Sequence, residues 1–324
     1  MNASPQATKV GVADSIDSKR GGNKVLVALV PGQGSLRPGM GLPWVDHPSA
    51  ALLTEISDIA GIDVRRLLCD ASTDELVRTD NAQLATFCLS MMVADALEST
   101  GIVADLAIGH SLGEYSALRY ARIVTLEAAT HLVVVRGQAM VEASVRCPGS
   151  MAAVLGSSSE DLESVLADFD ELVIANLNAP GQVVVSGPTA QLDSLRSQAK
   201  ERGLRRVMPL EVGGAFHSPL MGAATEALRD ALLATSFDEG RIEVVANIDA
   251  QPHAGGSVWA ELLTEQLTGP VRFQESIEST PNDATFIELG AGGVLAGLVG
   301  RIRPDAERSS IGEPEDLLGG SKHD

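Results

Sequence analysis

The sequence predicts an α/β protein whose main domain is interrupted by a small inserted one. Two observations lead to this prediction. Apolar runs of strand length alternate with amphipathic helical segments along most of the 324 residues. Between residues 149 and 210 this rhythm shortens to a compact strand–helix–strand–strand–helix–strand order. The chain length and the hydrophobic fraction of 44% are sufficient for a large buried core.

The elements before the insert begin with a run that is apolar throughout, as expected of a strand in a parallel sheet buried on both faces. In chain order we expect a strand at 25–30, helices at 50–59, 72–78 and 82–99, an apolar run at 101–108 and a helix at 114–121. The first strand ends in the glycine-rich turn Pro31-Gly-Gln-Gly-Ser35. A further helix, capped by Thr125, then runs back past residue 136.

The insert has the element order of a ferredoxin-like domain. We expect strands at 151–155, 172–176, 182–186 and 205–210, with helices at 160–169 and 190–202. The longer rhythm then resumes, with helices at 218–233, 258–268, 273–279 and from 294, and strands at 242–246 and 285–289. The domains are therefore expected at 23–148 and 211–303 (main) and 149–210 (insert), with a disordered tail at 1–22 and a flexible tail at 304–324.

The turn Gly109-His-Ser-Leu-Gly113 is the most informative stretch of the chain. Gly109 and Gly113 lack the Cβ atoms that would clash in a sharp strand-to-helix turn, so Ser111 can lie at its apex with an exposed hydroxyl. The N-terminus of the following helix offers free N–H groups to an oxyanion. The pattern alone is weak, but its place between a strand and a helix indicates a nucleophile elbow and an α/β-hydrolase-like main domain.

The composition argues against several classes of function. With 43 acidic against 24 basic residues the net charge is −19, and only 3% of residues are aromatic, so nucleic acid is not an expected partner. Three separated cysteines fit a reducing cytoplasm and give no cysteine-based zinc site; no metal is expected. No apolar run approaches the roughly 18 residues of a membrane span, and residues 1–22 lack a secretory signal. No dinucleotide or Walker A motif is present, so we expect no bound cofactor. We further expect the protein to be cytoplasmic and monomeric.

Two of the six histidines have a setting that suits the base of a serine nucleophile. His217 lies at the return from the insert to the main domain, and the junction of two domains is a usual place for a substrate cleft. A satisfied polar histidine is the alternative there. His110 adjoins Ser111, but adjacent residues in an elbow point in divergent directions, so we expect a structural role for it.

Arg136 is expected to lie close to Ser111. The helix after the elbow runs about 11 residues to Arg122, and the helix capped by Thr125 returns 11 residues, so at ~1.5 Å per residue both legs span roughly 17 Å. A guanidinium beside a nucleophile suggests bidentate capture of a substrate carboxylate; a buried structural ion pair is the alternative. Glu114 is explained by favourable charge at a helix N-terminus.

Eight collinear blocks of the sequence resemble those of malonyl-CoA:acyl carrier protein transacylases. They are Pro31-Gly-Gln-Gly-Ser35, Asn81-Ala-Gln83, Gly109-His-Ser-Leu-Gly-Glu114, Arg136-Gly-Gln138, Asn176-Leu-Asn-Ala-Pro-Gly-Gln182, Gly214-Ala-Phe-His217, Gln266-Leu-Thr-Gly-Pro-Val271 and Glu288-Leu-Gly-Ala-Gly292. The resemblance covers about residues 24–303 and is far more specific than the elbow alone. One departure is Leu36, where the family commonly has glutamine.

The resemblance implies a role for each matched position. Ser111 would be the acylated nucleophile and His217 its general base, with the main-chain carbonyl of Gln266 orienting the imidazole. Arg136 would hold the malonyl carboxylate. The main-chain N–H groups of Gln33 and Leu112 would form the oxyanion hole. The other positions implied to line the cleft are Gln83, Asn176, Asn178 and Phe216.

The implied activity is transfer of malonyl from malonyl-CoA to the phosphopantetheine thiol of acyl carrier protein, for fatty acid or polyketide synthesis. Leu112 and Phe216 resemble malonyl-selective members, because methylmalonyl-selective ones often carry Gln and Ser there. Carrier proteins are typically acidic, so docking on this acidic chain needs a local basic patch. The candidates are Lys200, Arg202, Arg205 and Arg206, with Arg301 and Arg303 next. A solvated run of surface charge is the alternative interpretation of that patch.

Other functions are weighed against this one. A trans-acting acyl hydrolase of the same fold tends to lack the carboxylate-binding arginine, and a substituted malonyl-CoA is an alternative substrate. A general α/β-hydrolase esterase is disfavoured, because 107 residues follow His217. A non-catalytic docking module would be expected to lose Ser111 or His217.

Overall fold

The computed structural model describes residues 24–34 and 36–318. The strands are β1 (Leu26–Val30), β2 (Leu106–Gly109), β3 (Ser150–Leu155), β4 (Val173–Ala179), β5 (Gln182–Gly187), β6 (Arg206–Pro209), β7 (Glu243–Val245), β8 (Pro252–His253), β9 (Thr285–Leu289) and β10 (Arg308–Ile311). The helices are α1 (Ala51–Ala60), α2 (Val64–Cys69), α3 (Thr73–Leu76), α4 (Thr79–Ser99), α5 (Gly113–Tyr120), α6 (Leu126–Arg146), α7 (Ser159–Leu166), α8 (Thr189–Gln198), α9 (Gly222–Leu233), α10 (Val258–Gln266), α11 (Phe273–Glu278), α12 (Val294–Ile302) and α13 (Pro314–Leu318). Short 3-10 helices lie at Leu42–Trp44, Pro48–Ala50 and Pro219–Met221.

The main sheet has six strands in the order β10-β9-β1-β2-β7-β8. Neighbouring strands are parallel except for β8, which pairs antiparallel with β7. All five residues of β1 are buried, because its side chains alternate between the hydrophobic cores on the two faces of the sheet. Val30 pairs with Gly109, so the loop after β1 and the elbow after β2 leave the sheet side by side. This edge, at the carboxyl ends of the strands, is where open α/β sheets bind ligands.

The insert forms a separate four-stranded antiparallel sheet in the order β4-β5-β3-β6. Its first and third strands are central, as the predicted ferredoxin-like βαββαβ topology requires. Leu162 and Leu166 of α7 and Leu192 and Leu195 of α8 pack with the strands in a core of their own. The predicted fold class, an α/β-hydrolase-like domain with a ferredoxin-like insert, is confirmed.

The prediction of a flexible tail at 304–324 is wrong for its described part. β10 pairs in parallel with β9, Ile311 is fully buried, and the indole N–H of Trp44 donates to the main-chain oxygen of Gly312 at 3.0 Å. A four-residue strand with two serines carries little periodic signal, and it is its pairing with β9 that orders it. The predicted N-terminal tail at 1–22 lies outside the described residues.

Between residues 24 and 318, apart from position 35, we find no helix with both the length and the apolar character that crossing a bilayer requires.

Candidate active site

The sharp turn after β2 places Ser111 at the carboxyl edge of the main sheet. Its φ of 53° lies in the left-handed region, which is strained for a residue with a side chain. A Cβ on Gly109 would lie 2.1 Å from the main-chain carbon of Gly113, and one on Gly113 would lie 2.0 Å from the main-chain oxygen of Val30. The expected reason for both glycines, close approach of the backbone, is therefore confirmed.

His217 contacts Ser111 directly. Its Nε2 lies 2.7 Å from Ser111 Oγ, and its Nδ1 lies 2.8 Å from the main-chain oxygen of Gln266. A carbonyl oxygen only accepts, so Nδ1 carries the proton and the lone pair of Nε2 faces the serine hydroxyl. Burial, and next the charge of Arg136, lower the pKa of His217 to about 3. The imidazole is thus neutral at pH 7, the form that a general base needs.

Arg136 is 1% exposed and lies beside the nucleophile. Its Nη2 donates to Ser111 Oγ at 3.1 Å and to Gln266 Oε1 at 3.2 Å, and its Nη1 donates to Gln83 Oε1 at 2.7 Å. The hairpin of α5 and α6 therefore returns Arg136 to Ser111, as predicted. Arg136 Nε is buried and unbonded, and no carboxylate of the described residues forms an ion pair with the guanidinium. A buried cation with no directly paired carboxylate is costly, so this site favours an anionic ligand.

These groups open onto a cavity of about 220 Å³ at the junction of the main domain and the insert. Its lining residues include Gln33, Ser111, Arg136, Met151, Asn176, Asn178, Val184, Leu210, Phe216, His217 and Leu298. Leu298 belongs to α12 of the main domain, whereas Met151 and Val184 belong to the insert, so the cleft lies between the two as predicted. Polar groups cluster around Ser111, and the remaining wall is largely apolar.

The two main-chain N–H groups expected to form the oxyanion hole have no protein acceptor among the residues that the structure describes. Gln33 follows β1 and borders the cavity, while Leu112 precedes the first residue of α5. Among the described residues, neither main-chain N–H makes a hydrogen bond. By contrast, the N–H of Ser111 itself donates to Asn247 Oδ1 at 2.7 Å. Neither N–H is thus committed to another acceptor, as donors to an oxyanion require.

A family model described as an acyl transferase domain matches residues 27–309. The chain belongs to this acyl transferase family. It is 38% identical over 297 residues to the malonyl CoA-acyl carrier protein transacylase of Bacillus subtilis, covering 89% of this chain and 94% of that protein. The corresponding protein of Synechocystis is 36% identical, covering 89% and 97%. The crystal structure of malonyl-CoA:acyl carrier protein transacylase from Xanthomonas oryzae has a TM-score of 0.86 at 34% identity, covering 91% and 97%.

Of two polar side chains near the nucleophile, one has other surroundings than expected and one has the predicted role. Gln83 was expected to line the cleft, but it is fully buried and supports Arg136 instead. His110 has the structural role expected of it, because its Nε2 pairs with Asn178 Oδ1 at 2.8 Å and joins the elbow to β4. Burial lowers the pKa of His110, so this pair is uncharged.

Sequence reasoning missed the part that Glu114 and Asn247 play in the acyltransferase. Glu114 is 1% exposed, and its carboxyl accepts from the main-chain N–H of Asn247 at 2.6 Å and from Gln266 Nε2. It is therefore not simply a charge placed for the helix N-terminus. Burial raises the pKa of Glu114 to about 8, against the opposing effect of these donors and of Arg136. The available signal for Asn247 was its position just after the buried strand β7, next to β2.

The basic patch proposed for docking lies at the start of β6, whereas Leu210, just past its other end, borders the cavity. Lys200, Arg205 and Arg206 are exposed. Arg202 is engaged within the insert, where its Nη1 contacts Asp168 at 2.6 Å and its guanidinium stacks over Phe169. Arg301 is closer to the site, because it contacts Gln182 at the rim of the cavity.

Proposed function

We propose that this acyltransferase moves a malonyl group from malonyl-CoA to the phosphopantetheine thiol of acyl carrier protein, through a malonyl ester of Ser111. The observation that carries the proposal is Arg136, a buried guanidinium 3.1 Å from the nucleophile with no carboxylate partner among the described residues. An acyl group that ends in a carboxylate supplies the missing anion. The printed names of the relatives, malonyl CoA-acyl carrier protein transacylases, support the same substrate pair.

The Ser-His pair performs the first half of the reaction. Ser111 Oγ attacks the thioester carbonyl while its proton passes to His217 Nε2, and the Gln266 carbonyl stabilises the imidazolium through Nδ1–H. The oxyanion accepts hydrogen bonds from the main-chain N–H groups of Gln33 and Leu112. Collapse of the tetrahedral intermediate breaks the C–S bond, and the CoA thiolate takes the proton from Nε2.

The second half reverses these steps. The phosphopantetheine thiol gives its proton to His217 and its sulfur attacks the malonyl ester, so that the new thioester forms and Ser111 leaves with the proton restored. Arg136 holds the malonyl carboxylate in both halves, which keeps the ester carbonyl in place. Ser111, His217, Arg136 and the two main-chain N–H groups supply every step, and CoA enters as part of the substrate. We therefore propose a reaction without a metal ion or a resident cofactor.

The size of the acyl group is set by Phe216. Its ring borders the cavity and is 5% exposed, so its bulk reduces the space available for an α-methyl group on the substrate. We therefore propose malonyl rather than a substituted malonyl as the preferred substrate. A hydrolase acting on acyl carrier proteins is the second candidate, but such a reaction has no use for a carboxylate-binding arginine at the nucleophile.

We propose that acyl carrier protein docks on the exposed cations of the insert, Lys200, Arg205 and Arg206, with a lesser part for Arg202 because Asp168 already binds it. Reversal of Arg205 and Arg206 to Glu should slow transfer to the carrier protein at low salt and leave acylation of Ser111 unchanged. Unaltered transfer would shift the proposal to Arg301 at the cavity rim.

We propose that the chain acts as a monomer. Light scattering during gel filtration measures its mass in solution directly.

Steady-state kinetics with both substrates test the proposed reaction. Parallel lines in double-reciprocal plots, and CoA release from malonyl-CoA without carrier protein, are expected of a covalent intermediate. Intersecting lines that require both substrates together would contradict it. Malonate released at the rate of CoA in the presence of carrier protein would instead support the hydrolase.

A further inference from the structure

Two buried side chains that take no part in the steps above hold the nucleophile turn from behind. Asn247 follows β7, the neighbour of β2, and is 1% exposed. Its Oδ1 accepts from the N–H of Ser111 at 2.7 Å, and its Nδ2 donates to the main-chain oxygen of Gly109 at 2.7 Å. One amide thus bridges the residues on either side of His110, across the turn in which Ser111 has its strained φ of 53°.

Glu114 contacts Asn247 and Gln266 rather than the nucleophile turn itself. Its two carboxyl oxygens accept from the N–H of Asn247 and from Gln266 Nε2. The Gln266 amide is held in one orientation: its Nε2 donates to Glu114 and to the main-chain oxygen of Ser111, which can only accept, so Oε1 faces Arg136, which can only donate. Glu114 therefore supports the orientation of Arg136 through Gln266, alongside the contacts of Arg136 with Gln83 and Ser111.

We propose that Asn247 and Glu114 are positioning residues of the acyl transfer, with separable tasks. Asn247 holds the turn that presents Ser111, and Glu114 holds the amide that orients Arg136 toward the substrate carboxylate. The inference rests on the proposed function, since it assigns Glu114 a share in selecting malonyl.

The two tasks predict different kinetic signatures. Asn247→Ala removes two hydrogen bonds from the turn, so the acylation rate constant per active site should fall about 10- to 100-fold for both malonyl-CoA and acetyl-CoA, with little change in KM. Labelling of Ser111 by a fluorophosphonate, which needs no acyl recognition, should slow by a similar factor. The burst of CoA release counts active sites, so partial unfolding would lower the burst and leave the rate per site unchanged.

Glu114 accepts hydrogen bonds from two donors, the Asn247 main-chain N–H and Gln266 Nε2. In Glu114→Gln one of the two acceptor oxygens becomes an NH₂ group, which then faces one of these donors. Rotation of the Gln266 amide relieves this contact but turns Nε2 toward Arg136. The malonyl-over-acetyl ratio of kcat/KM should therefore fall about tenfold, chiefly through KM for malonyl-CoA. Ser116→Ala is the matched control, because Ser116 is a buried polar residue of the same helix whose hydroxyl has no partner among the described residues.

The outcomes separate this inference from the proposed function. Wild-type rates per site in Asn247→Ala, or equal losses for both substrates in Glu114→Gln, would overturn the positioning role assigned to that residue while the wild type still forms its malonyl ester. If the wild type forms no malonyl ester, malonyl transfer is refuted. If Asn247→Ala nevertheless reacts more slowly than the wild type with the fluorophosphonate, the positioning of Ser111 by Asn247 stands.

Discussion

Replacement of Arg136 by alanine separates recognition of the malonyl carboxylate from the chemistry of acylation. The guanidinium is buried, no carboxylate of the described residues pairs with it, and its Nη2 donates only to the neutral side chains of Ser111 and Gln266, which a substrate carboxylate can replace as acceptors. A charge-assisted bidentate contact contributes about 1.5–3 kcal/mol, which corresponds to a roughly 10- to 150-fold loss of kcat/KM for malonyl-CoA. Acetyl-CoA has no carboxylate and should lose only the contact between Arg136 and Ser111 Oγ, less than about tenfold.

The assay is the initial rate of CoA release with each substrate, corrected for the number of active sites. Arg119→Ala serves as the control, because Arg119 is a partly buried arginine of the neighbouring α5 that makes no ion pair among the described residues. We expect the control to keep the wild-type ratio of the two substrates. Equal losses for malonyl-CoA and acetyl-CoA in Arg136→Ala would refute the reasoning and indicate that Arg136 is structural.

Three further predictions concern the base, the turn and the cleft. Because burial and the charge of Arg136 lower the pKa of His217 to about 3, kcat/KM for acetyl-CoA should hold from about pH 7 to 5, below the pKa of Glu114, and fall only as His217 becomes protonated. Loss of the Arg136 charge raises the pKa of His217, so the acid limb of the acetyl-CoA profile should move to higher pH in Arg136→Ala. Gly113→Ala should lower the free energy of unfolding by about 3 kcal/mol in urea titrations, since its Cβ would meet Val30, whereas Gly297→Ala, on an open face of α12, should raise it by about 0.4–1 kcal/mol. Phe216→Ser should raise the methylmalonyl-to-malonyl ratio of kcat/KM about tenfold; an unchanged ratio would remove Phe216 from substrate selection.

Local patterns were sufficient to predict the features that depend on neighbours in sequence. The apolar strands, the glycines of the elbow and the capped helical hairpin all follow from residue spacing, and the hairpin alone brought Arg136 to Ser111. The βαββαβ order likewise identified the insert. Function-specific roles, in contrast, came from the family resemblance rather than from spacing.

Features that depend on strand order could not be predicted in this way. Asn247 reaches Ser111 because β7 lies next to β2, a pairing of segments 136 residues apart that no local period encodes. The family resemblance implied that Gln83 lines the cleft but did not give its depth, so its support of Arg136 was missed. β10 shows the same limit, since its order depends on pairing with β9.

Intact-mass spectrometry of the wild-type protein after mixing with malonyl-CoA tests the central claim most directly. We expect one malonyl adduct, located on Ser111 by peptide mapping, which is lost on addition of acyl carrier protein and absent in Ser111→Ala. An adduct that persists in Ser111→Ala, or a wild type that transfers malonyl without ever carrying it, would contradict the covalent mechanism.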